Sequence, residues 1–261
     1  MNTSVPNSQQ PIIDLEEGDD ASRYAVSYRA IRMWVGRLGL LLPTSLFLID
    51  WWVLRGGILF RGSLSAYYHS GARDIFVGVL AITGFMMIVY MAGQRSTPFT
   101  RFEWRLSTLT GAAALFVAAI PTKRPGAPSP ACGPEADPVP LGCTRVQQLL
   151  GESVAGVLHF IATGIFIASL AGICFLVFAK RERDRAHLKR ARTHRICGLA
   201  IVLGVSWIGV GGFLDIHIVG WTPLLVAEVV SVYAFGLSWV LMSYDLLPAP
   251  VAKSLEKLRL A

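Results

Sequence analysis

Six long apolar segments, separated by polar stretches, occupy most of the chain. Each holds about 20 residues or more, which is the length a helix rising 1.5 Å per residue needs to cross the apolar core of a bilayer. The pattern predicts an all-α fold, a polytopic six-transmembrane-helix bundle with one membrane domain over residues 33–244. The predicted spans are residues 33–54, 72–92, 102–121, 153–179, 194–214 and 222–244.

Three segments lie outside the predicted spans. Residues 1–32 are polar and acidic at first and basic later, and we expect them to form a disordered cytoplasmic tail. Residues 122–152 are rich in proline and glycine, which predicts a loop on the outer side rather than a further span. Residues 245–261 are predicted to form a cytoplasmic C-terminal tail.

The composition excludes an ordinary soluble domain. Hydrophobic residues make up 53% of the chain and charged residues 16%, against roughly 25% charged residues in soluble domains. Of the lysines and arginines, 18 lie on the side of the two chain ends and 6 on the other side. The positive-inside rule then places both termini in the cytoplasm and the protein in the inner (plasma) membrane. Because this asymmetry accounts for the net charge of +7, we expect no nucleic acid as a partner.

The most basic segment, residues 180–195, joins two predicted spans and holds eight lysines and arginines. Each basic residue near anionic headgroups contributes about 1 kcal/mol of attraction, so membrane lipids are the expected partner of this segment. The simpler interpretation, that these charges only set the topology, is favoured.

The cysteines divide into two pairs. Cys132 and Cys143 both lie in the predicted outer loop with ten residues between them, where an oxidising environment favours a disulfide. Cys174 and Cys197 lie within or beside predicted helices, where a free cysteine usually packs as a small hydrophobic residue.

Ionisable residues are predicted to gather in the outer half of the bundle. Many of them lie in Ser63–Gly78, SLSAYYHSGARDIFVG, which leads into the second span. His159 and Glu228 lie within spans, where an unpaired charge costs several kcal/mol, so both are expected to face the bundle interior. The cytoplasmic halves are predicted to hold almost no charge beyond their flanking lysines and arginines.

A polar cavity on the outer side is the predicted functional site. Its candidate catalytic residues are Ser65, Asp74 and Glu228, and its candidate ligand-binding residues are Asp50, Tyr67, Tyr68, Arg73 and His159. Structural alternatives stay open. Asp74 suits the positive end of a helix dipole, and the tyrosines suit the aromatic belt at the membrane interface. Glu228 is as well explained by an ion pair with Arg73 as by a function.

Three histidines from separate segments, His69, His159 and His217, all reach the outer side in this topology. A catalytic zinc ion takes three protein ligands and leaves one position for water, so these residues form a candidate zinc site. Their spacing is not a recognised metal signature.

The stretch Ser63–Gly78, together with the later AEVVSVYAFGLSW, resembles an uncharacterised group of bacterial multi-pass membrane proteins. This resemblance implies a similar six-helix body and names no activity. More distantly, Ser65, His69 and Asp74 resemble the early pattern of the alkaline ceramidase and adiponectin-receptor superfamily. That second resemblance implies a membrane hydrolase with zinc held by three histidines.

The sequence therefore supports three hypotheses of different kinds. The leading one is an inner-membrane protein whose outer-facing cavity binds a lipid or small amphiphile. The first alternative is a zinc-dependent lipid amidase or esterase in which Asp74 or Glu228 carries the proton. The second alternative is a proton-coupled carrier or sensor in which Glu228 titrates.

Overall fold

The computed structural model describes residues 12–54, 61–89, 96–126, 130–214, 216 and 221–244, with side chains from residue 29 onward. This described part is all-helical, with turns and short loops between the helices. The elements are α1 (Ile12–Val53), a 3₁₀ helix (Ser65–His69), α2 (Arg73–Val89), α3 (Pro98–Ala119), α4 (Arg145–Leu150), α5 (Glu152–Gly172), a π-helix (Ile173–Phe178), α6 (Ala179–Asp184), α7 (Leu188–Phe213) and α8 (Pro223–Ser243).

Four helical segments are long and apolar enough to cross a membrane. They are Arg29–Val53, Glu152–Asp184, Leu188–Phe213 and Pro223–Ser243. Large apolar side chains on them, such as Phe160 and Phe213, are exposed on the outside of the bundle. The helices are thus compatible with a multi-pass membrane protein, and the count of six spans stays a prediction.

The six long helices form a closed ring. Each of α1, α2, α3, α5 and α7 packs on the next long helix of the chain, and α8 packs back on α1. The ring encloses apolar side chains that are almost completely buried, among them Leu46, Phe166, Leu170, Phe235 and Trp239. The order of the long helices around the ring is therefore the same as their order along the chain.

Two crossings in the ring depend on glycine. At the α2–α3 crossing, a Cβ added to Gly84 would lie 2.7 Å from the main-chain oxygen of Gly111. At the α1–α8 crossing, a Cβ added to Gly36 would lie 3.0 Å from the main-chain oxygen of Gly236. Small residues at such points let two backbones approach closely, which is a common way for membrane helices to pack.

The helices differ from the predicted spans mainly at their ends. The helix α1 already begins at Ile12, so the segment predicted to be a disordered tail is helical from that residue onward. The helix α3 begins at Pro98, where Thr97 closes a capping box with Thr100, four residues before the predicted span. Hydropathy marks the part of a helix that suits the bilayer, whereas capping residues and helix formers decide where the helix itself begins.

The long segment from Glu152 to Asp184 changes its hydrogen-bonding pattern part of the way along. The α-helix α5 passes into the π-helix at Ile173 and continues as α6 from Ala179. The predicted span of residues 153–179 covers the first two elements as one. A π-helix has the composition of an α-helix, so hydropathy does not reveal it.

Candidate functional site

The chain between α1 and α2 forms a short cover over one end of the bundle. Gly62 has a φ of 80°, a conformation that glycine adopts without steric cost. Its carbonyl oxygen accepts a hydrogen bond from the Thr222 hydroxyl, which also caps α8. The 3₁₀ helix that follows is held by the Ser63 hydroxyl, which accepts a hydrogen bond from the Ala66 amide at 3.0 Å.

Glu228 of α8 binds this cover through its side chain. Its side chain is 4% exposed, and its carboxylate accepts hydrogen bonds from the Leu64 amide at 2.6 Å and the Ser65 hydroxyl at 3.1 Å. The alternative partner, Arg73, instead lies over the Tyr68 ring, with its guanidinium carbon 4.8 Å from the ring centroid. The carboxylate therefore binds Leu64 and Ser65 at the start of the 3₁₀ helix, whereas Arg73 contacts the Tyr68 ring.

Two histidines bind the main chain at the end of α3. His159 of α5 donates from Nδ1 to the carbonyl oxygen of Ile120 at 2.5 Å, and His69 donates from Nε2 to that of Thr122 at 2.8 Å. Burial, as the largest cause, lowers the pKa of His69 below its ordinary value. The other ring nitrogen of His159, Nε2, is buried without a hydrogen-bond partner.

A cavity of about 540 Å³ lies between α5, α7 and α8, beneath this cover. Most of its wall consists of apolar side chains of α5 and α7. The polar lining residues at one end include Ser63, Ser65, Thr122, Lys123, His159 and Glu228, and Ser206 of α7 also lines the cavity. Thr163, one turn further along α5 from His159, also lines the cavity, and its buried hydroxyl has no hydrogen-bond partner.

The structure places three of the predicted site residues, Ser65, His159 and Glu228, on this one cavity. Sequence reasoning missed Thr163 and treated Lys123 only as a charge to be counted. A threonine four residues after a histidine in an apolar helix is the signal that could have identified Thr163, because positions i and i+4 share a helix face.

Other predicted site residues make their contacts elsewhere. Asp50 is 1% exposed and pairs with Arg61 at 3.0 Å. Tyr67 is fully buried with Phe47 edge-on to its ring, and burial together with the Asp50 carboxylate raises the pKa of Tyr67 to about 12. Tyr68, as described, lies beneath the Arg73 guanidinium, and Asp74 is exposed in the first turn of α2.

The predicted zinc ligands are only partly within the described residues. His217 lies outside them, and His69 and His159 use one ring nitrogen each on main-chain carbonyls. Within the part of the chain that the structure describes, no three His, Cys, Asp or Glu residues form a group that could hold a metal ion. The zinc site and the ceramidase-like resemblance both stay predictions.

The predicted disulfide between Cys132 and Cys143 is confirmed. It belongs to a loop built around the buried pair of Arg124 and Glu152, whose side chains meet at 3.0 Å. Glu152 also accepts a hydrogen bond from the Cys132 amide, which fixes the loop to the start of α5. The loop thus positions Thr122 and Lys123, which precede Arg124, at the polar end of the cavity.

The opposite end of the bundle holds a second group of buried polar side chains, which the sequence analysis did not predict. Arg32, Glu103, Glu182 and His194 are each at most 2% exposed. Glu103 of α3 pairs with Arg181 of α6. The expectation that this half holds almost no charge beyond its flanking basic residues fails at Glu103, which lies within the predicted span 102–121. Arg32 and Glu182 lie just outside the predicted spans, and only the packing of the helices buries them.

A hydrogen-bonded chain lies nearby. The Ser238 hydroxyl is 2.8 Å from His194 Nδ1 and accepts from the Cys174 thiol at 3.4 Å. Cys174 and Cys197 are both free and buried, as expected. This chain joins the π-helix, α7 and α8, so its contacts are explained by helix packing.

Comparison with curated proteins and comparison with solved structures each found no match. The resemblance to an uncharacterised family is confirmed, because residues 38–244 match the family described as "Protein of unknown function (DUF998)", and the chain belongs to that family.

Proposed function

We propose that the protein binds a lipid or small amphiphile in the cavity between α5, α7 and α8. The observation that carries this proposal is the division of the cavity wall, which is apolar along most of α5 and α7 and holds Lys123, His159 and Glu228 at one end.

The size and polarity of the cavity support the same proposal. Ligand sites in proteins commonly have volumes of about 300–1,000 Å³, and this cavity falls within that range at about 540 Å³. Its wall is apolar along most of its length and polar at one end. An amphiphile has the matching division, with an apolar tail and a polar head.

The zinc-dependent hydrolase and the proton-coupled carrier or sensor stay hypotheses from the sequence. Binding of an amphiphile requires neither a metal nor a transport cycle, so it can be tested first and independently of both.

The test fills the apolar part of the cavity. Gly164 lines it, and a Cβ added there has no atom within 4 Å, so Gly164→Phe places a ring in the cavity without a backbone clash. The matched control is Gly209→Phe, at an open position on α7 that does not line the cavity. Native mass spectrometry of protein purified in mild detergent measures the amphiphile retained per chain.

We expect wild type and Gly209→Phe to retain the same amphiphile, and Gly164→Phe to lose at least about nine-tenths of it, since one aromatic ring occupies much of the apolar wall. Thermal unfolding measured in parallel shows that both variants are folded. Equal retention by a folded Gly164→Phe protein would rule out this cavity as the binding site.

A further inference from the structure

We infer that the amphiphile is a long-chain anion, whose carboxylate or phosphate head binds the ammonium group of Lys123. This class of ligand rests on the proposed function, because it narrows the amphiphile that the same cavity takes. Three features carry it: the exposure of the ionisable residues in the cavity wall, the position of the Lys123 side chain, and the course of the apolar wall that begins beside it.

The ionisable residues of the cavity wall differ in whether a ligand can reach them. Among the described residues that line the cavity, the ionisable ones are Lys123, His159 and Glu228. His159 and Glu228 are buried, and both side chains already bind groups of the protein itself. Lys123 is exposed. A ligand head at the polar end of the cavity therefore meets the ammonium group.

The Lys123 side chain packs on the backbone of α5. A Cβ added to Gly156 would lie 2.7 Å from the Cγ atom of Lys123, 3.5 Å from its Cδ atom and 3.2 Å from its Cε atom. The aliphatic stem thus crosses the helix at a residue without a side chain, and the ammonium nitrogen is bonded directly to Cε. Because Gly156 itself lines the cavity, the cation lies against the cavity wall near the start of α5.

The ammonium group of Lys123 is available to a ligand. No ion pair joins Lys123 to another of the residues that the structure describes, and the nearby Glu152 is paired with Arg124. An ammonium group donates hydrogen bonds and accepts none, so its complement is an acceptor. Charge-assisted hydrogen bonds to an anion are the strongest that it forms. The polar end of the cavity therefore favours an anionic head over an uncharged one.

An apolar face of α5 continues from this cation. It includes four lining residues at every fourth position, Gly156, Phe160, Gly164 and Ala168, which share one side of the helix. From Gly156 to Ala168 the helix rises about 18 Å, at 1.5 Å per residue. One leaflet contributes about 15 Å to a hydrocarbon core of about 30 Å. A membrane acyl chain therefore fits along this face with its head at Lys123.

The cavity is open to the side. Phe160 of α5 is 66% exposed, and Val202 and Val205 of α7 are each 45% exposed, although all three line the cavity. In a membrane, the exposed faces of two neighbouring apolar helices contact lipid. An acyl chain can therefore enter between α5 and α7 directly from the bilayer.

Carboxylate and phosphate heads share the chemistry that Lys123 recognises. A fatty acid supplies the first and a phosphate-headed lipid the second. A lysine ammonium binds either as a compact point charge, without the planar fork by which arginine matches one geometry. Both heads are therefore compared in the experiment.

The experiment uses three probes with the same saturated chain: hexadecanoate, hexadecyl phosphate and hexadecanol. Binding to the purified full-length protein is titrated by native mass spectrometry at about pH 8, where both acidic heads are ionised. We expect at least one of the two anions to bind about tenfold or more tightly than hexadecanol, which corresponds to about 1.4 kcal/mol. The tighter anion identifies the head.

Three variants test the role of Lys123. Lys123→Met keeps an apolar stem over Gly156 and removes the charge, so it should weaken the tighter anion about tenfold and leave hexadecanol unchanged. Lys123→Arg keeps the charge and should retain most of the preference for the anion. Arg145→Met is the matched control, because Arg145 is an exposed cation of α4 that is not among the lining residues, and it should change none of the affinities.

The outcomes separate the anionic head from the proposed function. Equal affinity of wild type for the three probes, with all binding lost in Gly164→Phe, would overturn the anionic head and leave amphiphile binding intact. Unchanged anion binding in a folded Lys123→Met protein would overturn it too, as would an equal loss in Arg145→Met. If none of the probes binds and Gly164→Phe retains as much native amphiphile as wild type, both fail. The wild-type comparison decides the head even where a variant does not fold.

Discussion

At the scale of single residues, the buried ionisable groups of the described residues lie toward the two ends of an apolar bundle. Buried polar groups in proteins are almost always hydrogen-bonded. Glu228 follows this rule through Leu64 and Ser65, and Glu152 follows it through Arg124. His159 and Thr163, like His194 and Ser231, each have a buried atom without a hydrogen-bond partner. The sequence shows where these residues lie along the chain, but it does not show that these atoms lack hydrogen-bond partners.

The depressed pKa of His69 predicts a dependence of stability on pH. The hydrogen bond to the Thr122 carbonyl and the Glu152 carboxylate raise this pKa, but burial, assisted by Arg124 and Arg73, outweighs both. The folded protein thus keeps His69 neutral at pH values where the unfolded chain, with an ordinary pKa near about 6.5, takes up a proton. Its contribution to stability is fully present above that pH and is lost as the pH falls toward the folded-state pKa.

Melting temperatures of wild type and His69→Gln between about pH 5 and pH 8 test this prediction, since that range contains the ordinary pKa of histidine. The wild type should lose stability toward the acidic end, and His69→Gln should lose less of it. Glutamine can still donate to the Thr122 carbonyl. Identical pH profiles for the two proteins would show that His69 is not responsible.

At the scale of the elements, apolar length and helix geometry account for most of the structure. Six of the helices correspond to the six apolar segments, because a long run of apolar residues forms a helix in nearly any position within a bundle. The ends were less predictable, as α3 shows with its Thr97 cap. The close approach of α2 to α3 was not predicted either. A glycine in an apolar helix does not indicate which other helix packs against it.

Alanine at Gly84 tests the α2–α3 crossing. The added Cβ would lie 2.7 Å from the Gly111 carbonyl oxygen, a main-chain atom that can move only with its helix. We expect the free energy of unfolding to fall by about 1–3 kcal/mol, as for other overpacked sites. Thermal unfolding in detergent measures the change.

The control is Gly78→Ala on the same helix, where nothing lies within 4 Å of the added Cβ. Alanine favours a helix over glycine by about 1 kcal/mol, so this variant should be neutral or slightly stabilised. Similar melting temperatures for the two variants would contradict close packing at the crossing.

At the scale of the whole molecule, the ends of the bundle differ in chemistry. One end carries the disulfide-bonded loop and the polar end of the cavity. The other carries the basic segment 180–195, in which Arg181 pairs with Glu103 and Lys180 pairs with Asp184. Part of this basic charge is therefore paired with acidic side chains of the protein itself.

The predicted orientation can be tested with two single-cysteine substitutions at exposed leucines. Leu149 in α4 is 76% exposed at the disulfide end, and Leu188 at the start of α7 is 68% exposed at the other. A membrane-impermeant maleimide should label Leu149→Cys in intact cells, and Leu188→Cys only after lysis. Labelling of Leu188→Cys in intact cells would reverse the assignment of both termini to the cytoplasm.

The sequence by itself determined the all-helical class, the approximate helix centres and the disulfide between Cys132 and Cys143. These features depend on local composition and on spacing along the chain, and both can be read directly from the sequence. The outer position of His159 and Glu228 stays a prediction, which the orientation experiment tests.

Only the tertiary structure decided what each polar side chain faces. It brought Ser65, His159, Thr163 and Glu228 to one cavity, and it left Asp74 exposed on α2. It also buried a second charged cluster that the sequence places at span ends. The physical reason is that the contacts of a side chain depend on how its helix is rotated about the helix axis and on which helices lie beside it in the ring. Those quantities arise from packing between segments far apart in the chain.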